Sequence, residues 1–326
     1  MSINAITVNP QRNITTQVAE IIKLSESVRC HINTHRYQSV LLDDSKIWNQ
    51  ICSSLDLIGD SLCAVESYET TPFPEDIGLK YIYTYGILQA LFLMQDALRH
   101  LSEAFEVPYE LTETLREIRN YRNASIGHPS KQDQNKKRYY NYISRISMNK
   151  PGFDLMRSSG DRDHIFTRVD IARACSDQLD GIIDAYRKIV ERLEEIDKMH
   201  KEKYKDTPLA DIFHSAMGYF FEKIAQGIHA HSYGDREFGY SHVRLVKDTY
   251  KKFQAALVER NELNDYTEYD LKEYFHALDR LDTYFSGTEN TMEESDARIY
   301  LSYLRYEHKH FLQIANEIDA EYQNKT

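Results

Sequence analysis

The chain has little with which to crosslink, kink or cross a bilayer. Its four cysteines, Cys30, Cys52, Cys63 and Cys175, form no Cys-x-x-Cys pair, which argues against a disulfide scaffold or a thiolate-clamped zinc and fits a reducing compartment. Seven prolines and twelve glycines in 326 residues are too few for a collagen-like or low-complexity chain. No Gly-rich phosphate loop and no strand-borne carboxylate pair is present, so a kinase or nucleotidyltransferase is disfavoured. The longest apolar run, Ile82 to Met94, is interrupted by Gly86 and Gln89 and falls short of the ~20 residues of a membrane-crossing helix. With no apolar leader, a cytoplasmic protein without a membrane partner is expected. Histidine clusters are sparse too. His229 with His231, and His308 with His310 beside Glu307, are spaced two apart, which on a helix turns one ring roughly 200° from the other. No metal and no cofactor is therefore expected.

Positive charge is also short, at 40 Lys or Arg against 51 Asp or Glu for a net −11. Its distribution says more than its sum. From Arg116 to Arg173 there are 13 Lys or Arg against 6 Asp or Glu, so a window of +7 lies in a chain that sums to −18 elsewhere. A basic island in an acidic protein suits a phosphate-bearing polymer, and the competing reading is a solvated lysine-rich loop.

Helical periodicity fills most of the remainder. A first helix is expected to about His31, and a second from the Asp43-Asp44-Ser45 cap to about Tyr68, with Cys52 and Cys63 read as its core residues and Trp48 near its apolar stripe. The third, about Glu75 to Phe105, is apolar nearly all round from Ile82 to Met94 and is expected at the buried centre. A fourth, the segment ending at Gly127, carries Leu111, Leu115 and Ile118 at buried spacing. After Pro129 short alternating segments and an Asn149-Lys-Pro-Gly152 turn predict two or three antiparallel strands. Tyr139, Tyr140 and Tyr142 beside Arg145 read either as stacking groups for bases or as cover for the sheet against the bundle. A long helix follows from Ile171 to about Lys205, its last turns so charged that it reads as leaving the core. The fold class is thus all-α: a helical bundle over residues 1–205 with a small antiparallel β insertion at about 136–169, then a helical domain over 206–326. That second part holds 13 Lys or Arg against 22 Asp or Glu, which suits a protein partner better than a nucleic acid.

Chemistry concentrates in one stretch, Leu115 to Pro129. Arginine offers a forked, permanently charged donor matched to phosphate, and histidine alone can take and give a proton near neutrality without a perturbed pKa. His128 precedes Pro129, which biases its backbone out of the helical region and leaves the imidazole just past a helix end. Cations at a helix C-terminus also complement its dipole, so capping alone is the competing reading.

The pattern Arg122-Asn123-Ala124-Ser125-Ile126-Gly127-His128 resembles the Arg-polar-spacer-His motif of HEPN-domain proteins, small helical bundles that include metal-independent RNases of bacterial defence and toxin systems. The third helix, Tyr85 to Leu98, resembles the central helix of HEPN-like bacterial proteins more weakly. The resemblance implies Arg122 for phosphate stabilisation, Asn123 for orientation and His128 for acid/base work, with RNA as partner and Arg119, Lys131, Lys136, Lys137, Arg138 and Arg145 as its binding cations. Ser130 stands where one subclass has a modified tyrosine, which departs from that mode of control. Gln89, Gln95 and Asp96 are candidates to orient Arg122 or His128, or else satisfied polar groups of the bundle. The alternative from another class is a non-catalytic nucleotide-binding or scaffold module. On a continuous α-helix, six residues from Arg122 to His128 span about 240° beyond a full turn. The sequence therefore predicts a homodimer, in which a two-fold axis brings two motifs into one cleft.

Overall fold

The computed structural model describes residues 13–134, 137–159, 164–230, 237–287 and 292–323. They form ten helices and one four-stranded antiparallel sheet, an all-α fold with a small β insertion. Helix starts follow local chemistry. Asn13, Asp44, Asp76, Thr112 and Asn264 each accept a hydrogen bond from a free amide of the first turn they cap, which satisfies donors that helix geometry leaves orphaned.

The chain divides into two compact units, residues up to Asn33 with Leu41–Glu194, and Thr34–Val40 with the remainder from Glu195. In the first, α1 (Ile14–Ile32), α3 (Ser45–Thr70), α4 (Ile77–Ala104), α5 (Glu113–Arg122) and most of α6 (Ile171–Tyr204) surround a core that includes Val28, Leu55, Leu88, Leu98, Leu179, Ile183 and Tyr186. The short α2 (His35–Asp43) precedes α3. In the second, α7 (Met217–Ala230), α8 (Glu237–Glu259), α9 (Asp265–Ser286) and α10 (Glu294–Gln323) pack around Tyr250, Tyr274, Phe253 and Phe311.

The sheet runs β1 (Gln132–Gln134), β2 (Lys137–Ile143), β3 (Gly152–Ser158) and β4 (His164–Asp170), each paired with its sequence neighbour. Period-two alternation gives it two faces. Phe153, Leu155 and Val169 point inward and are buried, while Tyr142, Met156 and Phe166 share one cross-strand row on the opposite face. Gly152, at φ +155°, closes the Asn149–Gly152 turn, and a Cβ there would stand 1.9 Å from the carbonyl oxygen of Val169. Only glycine fits.

Several expectations change. The sheet has four strands and starts at Gln132, because Gln132–Gln134 pairs with the first residues of β2. Cys63 is exposed and Cys52 half-buried, since the stripe through Ile51, Leu55, Ile58 and Leu62 faces the core. The third helix, α4, is not the buried centre throughout. Ile77, Leu79, Ile82 and Tyr85 are exposed, and Ile82 reaches 64%. At 28 residues, α4 is long and apolar enough by composition to cross a membrane, with 33% of its most apolar window buried. The charged end of α6 does not leave the core either: Leu193 and Tyr204 are buried, and the unit division falls inside this helix, ahead of the expected break at Lys205.

Candidate active site

The motif occupies α5 and the turn that ends it. α geometry stops at Arg122, and Asn123–Gly127 closes as one π turn, with the His128 amide donating to the Asn123 carbonyl at 2.7 Å. This corrects the separation derived from a continuous α-helix. The wider turn sets the His128 backbone one turn above Asn123 and not on a remote face.

Arg122 is held on three sides. Its Nε donates to Gln89 Oε1 at 3.0 Å, its Nη1 to Asn123 Oδ1 at 3.0 Å, and its guanidinium lies 4.4 Å from the centre of the Phe92 ring. Arg119 rests on the same ring at 4.0 Å, and its Nη1 pairs with Asp96 at 2.9 Å. Two turns of α4, Gln89 to Asp96, therefore position both cations, and the polar residues there are explained. Gln89 orients Arg122, Asp96 orients Arg119, and Gln95 is buried against Gln178 and the Leu115 carbonyl. Gly127 packs against this arrangement, because a Cβ there would sit 2.9 Å from Arg122 Nη1. His128 is exposed at the C-terminal end, at φ −140° and ψ 48°, outside the helical region as the following proline requires.

Two neighbouring phenols are poor bases. Burial pushes Tyr109, beside Arg119 and Asp96, up to about 12, and burial also raises Tyr121.

The expected RNA-binding cations fare differently. Lys131, Lys137 and Arg145 are exposed. Arg138 pairs with Asp133 at 3.0 Å and Arg119 with Asp96, so those two guanidiniums are already partly neutralised. Lys136 lies outside the described residues. The histidine pairs do not converge: His308 Nδ1 meets the Tyr250 hydroxyl at 2.9 Å, His310 lies 3.6 Å from Asp270, His229 lies 3.9 Å from Glu294, and His231 lies outside the described residues.

Behind α5 the sheet forms a cleft of about 270 Å³ lined by Glu117, Asn120, Tyr121 and Arg157 among others. Sequence reasoning passed over Arg157. Its Nε donates to Asn141 Oδ1 at 3.1 Å and its Nη2 to Gln132 Oε1 at 3.2 Å, and the Asn141 amide donates to the Pro129 carbonyl at 2.8 Å. The sheet is therefore bonded to the backbone immediately after His128. The available signal was alternation, which puts Arg157 on the inward face with Phe153 and Leu155. No family model, curated protein or solved structure matches the chain.

Proposed function

We propose that the protein is a metal-independent endoribonuclease of the HEPN type, as found in bacterial defence and toxin systems, with Arg122, Asn123 and His128 as its working residues. The observation that carries the reading is the π turn, which gathers an oriented arginine, a polar side chain and an exposed histidine at one helix end. Arg122 stabilises charge on the scissile phosphate, and Asn123 fixes the guanidinium. A base removes the ribose 2′-OH proton, the 2′ oxygen bonds to phosphorus, the bond from phosphorus to the 5′ oxygen breaks, and an acid protonates the leaving oxygen. A 2′,3′-cyclic phosphate and a 5′-OH result. His128 is the group suited to either proton step.

Two proton transfers with one motif histidine per chain keep the chemical case for a homodimer, although the geometric case from a continuous helix has gone. The exposed apolar side of α4, with Ile82, Tyr85 and Gly86, leads into the turn that holds Arg122. A second copy seated there would bring two motifs together. A non-catalytic binding or scaffold module remains the second reading, favoured by one observation: two of the Arg122 donors, Nε and Nη1, are already engaged by acceptors within the chain.

The test is cleavage of end-labelled RNA by the full chain in excess chelator. His128→Ala and Arg122→Ala should each lower the rate at least 100-fold with helicity unchanged. Mixed dimers of wild-type and His128→Ala chains should lose much more than half their activity, and Ile82→Asp should yield an inactive monomer. Unimpaired cleavage by His128→Ala, or cleavage only with a divalent ion, would discard the proposal.

A further inference from the structure

On the sheet's outward face, three adjacent strands bring Tyr142, Met156 and Phe166 into one register row. Tyr142 is 53% exposed and Phe166 68%. The next row holds Tyr140, Ser158 and His164, and the row on the other side holds Asp154 with Arg168. Alternation assigns all of these to the face opposite Phe153, Leu155 and Val169.

An exposed phenylalanine and tyrosine flanking a thioether leave apolar surface in water, which is unfavourable until something covers it. Charge says what covers them. Setting aside Lys137 and Arg157, which alternation puts on the inward face, the described residues from Arg138 to Asp170 hold four cations (Arg138, Arg145, Lys150, Arg168) and two carboxylates (Asp154, Asp170), in a chain whose net charge is −11. Arg168 is fixed beside the row by Asn149 Oδ1 at 2.8 Å and Asp154 Oδ1 at 3.3 Å, and Arg145 is exposed in the turn that follows β2. Aromatic faces among cations are the chemistry that holds unpaired bases by stacking and their backbone by charge. A duplex keeps its base faces covered and offers nothing to such a row.

We infer that this face binds single-stranded RNA, with bases stacked on Tyr142 and Phe166 over Met156, and so selects unpaired RNA for the cleavage proposed above, on which the inference rests. The two places adjoin: Tyr140 and Tyr142 flank Asn141, whose amide bonds the carbonyl of Pro129, the residue after His128. A strand of RNA leaving the motif passes across β2 onto the platform.

The experiment measures binding by the full chain of a fluorescein-labelled 20-nucleotide single strand and of the same strand annealed to its complement. The wild type should bind the single strand more tightly, and more weakly as salt rises. Tyr142→Ala with Phe166→Ala should weaken single-strand binding by about ten- to a hundredfold, from the loss of two stacking contacts. Tyr142→Trp with Phe166→Trp should retain it, and Arg122→Ala with His128→Ala should bind yet not cleave. A double alanine variant that binds like the wild type, a preference for duplex, or a variant changed only in sedimentation would overturn the inference; the last would mark the face as a protein contact. Stacking-dependent binding with no cleavage by the wild type would leave the inference standing and remove the proposed activity. Normal cleavage that ignores both substitutions would do the reverse.

Discussion

A methyl group at Gly127 would stand 2.9 Å from Arg122 Nη1, and the atom it meets is the end of a flexible side chain. The backbone there has no left-handed requirement, so Gly127→Ala should leave thermal stability within about 1 kcal/mol while pushing the guanidinium off Asn123. RNA cleavage should fall at least tenfold with an unchanged melting temperature, and undiminished cleavage would mean that the Arg122 position does not matter. Gln89→Leu asks the same question from α4, because it removes the Nε acceptor at similar volume. It should lower kcat more than it raises KM, since the substrate's remaining contacts are untouched. At this scale the sequence was legible where residue type carries chemistry. Arg122, Asn123 and His128 are candidates by type and order, and Gln89, a polar residue in an apolar helix, proves to accept from Arg122 Nε. Arg157 was not legible, because its role comes from strand register, and register is set by partners far along the chain.

Between α7 and α8 the backbones come closer than side chains permit. A Cβ on Gly227 would lie 2.5 Å from Gly239 Cα, and one on Gly239 would lie 2.6 Å from the Phe285 ring. Gly227→Ala must therefore move a helix and should destabilise by about 2–3 kcal/mol. Gly59, exposed in the middle of α3, has nothing within 4 Å of its Cβ position, so Gly59→Ala should stabilise by about 0.5–1 kcal/mol. Urea unfolding of both variants checks the pair, and equal effects of one sign would contradict the packing. Helix spans were readable because caps and three-and-four spacing are local signals; the bounds of α6 were anticipated to within a residue of Tyr204. The π turn was not, since one extra residue per turn leaves no mark on composition. Nor was the exposed side of α4, because an apolar sequence states that surface avoids water without stating which surface covers it.

The second unit carries an acid-sensitive element of its own. Burial, with Arg36, Lys203 and Arg260 nearby and Asp197 opposing, lowers His200 to about 4, and its ring packs edge-on to Tyr204 and Tyr322. The unfolded chain takes up this proton near pH 6.5 while the folded one refuses it until about 4. Stability should thus be level above 6.5 and fall as pH drops from 6.5 to about 4. Glu262 in the same cluster is raised by burial, so its contribution runs the opposite way, lost as pH rises through its folded value. His200→Phe keeps the packing and should flatten the decline relative to wild type, as read by chemical unfolding at pH 7, 6 and 5. Identical pH profiles would assign the acid sensitivity elsewhere. Chain length and the charged end of α6 suggested a division at about residue 205, whereas the compact units divide at Glu194 and the second takes in Thr34–Val40. Arg36 pairs with Asp197 and with Glu262, and His35 Nε2 meets the Leu263 carbonyl at 2.9 Å; pairings across such sequence distances have no local signature.

Those pairings also set an order in time. A ribosome making this chain delivers Thr34–Val40 early, yet their unit is completed only by residues from Glu195 onward. During synthesis His35 and Arg36 thus wait for partners that lie 161 to 228 residues further along the chain.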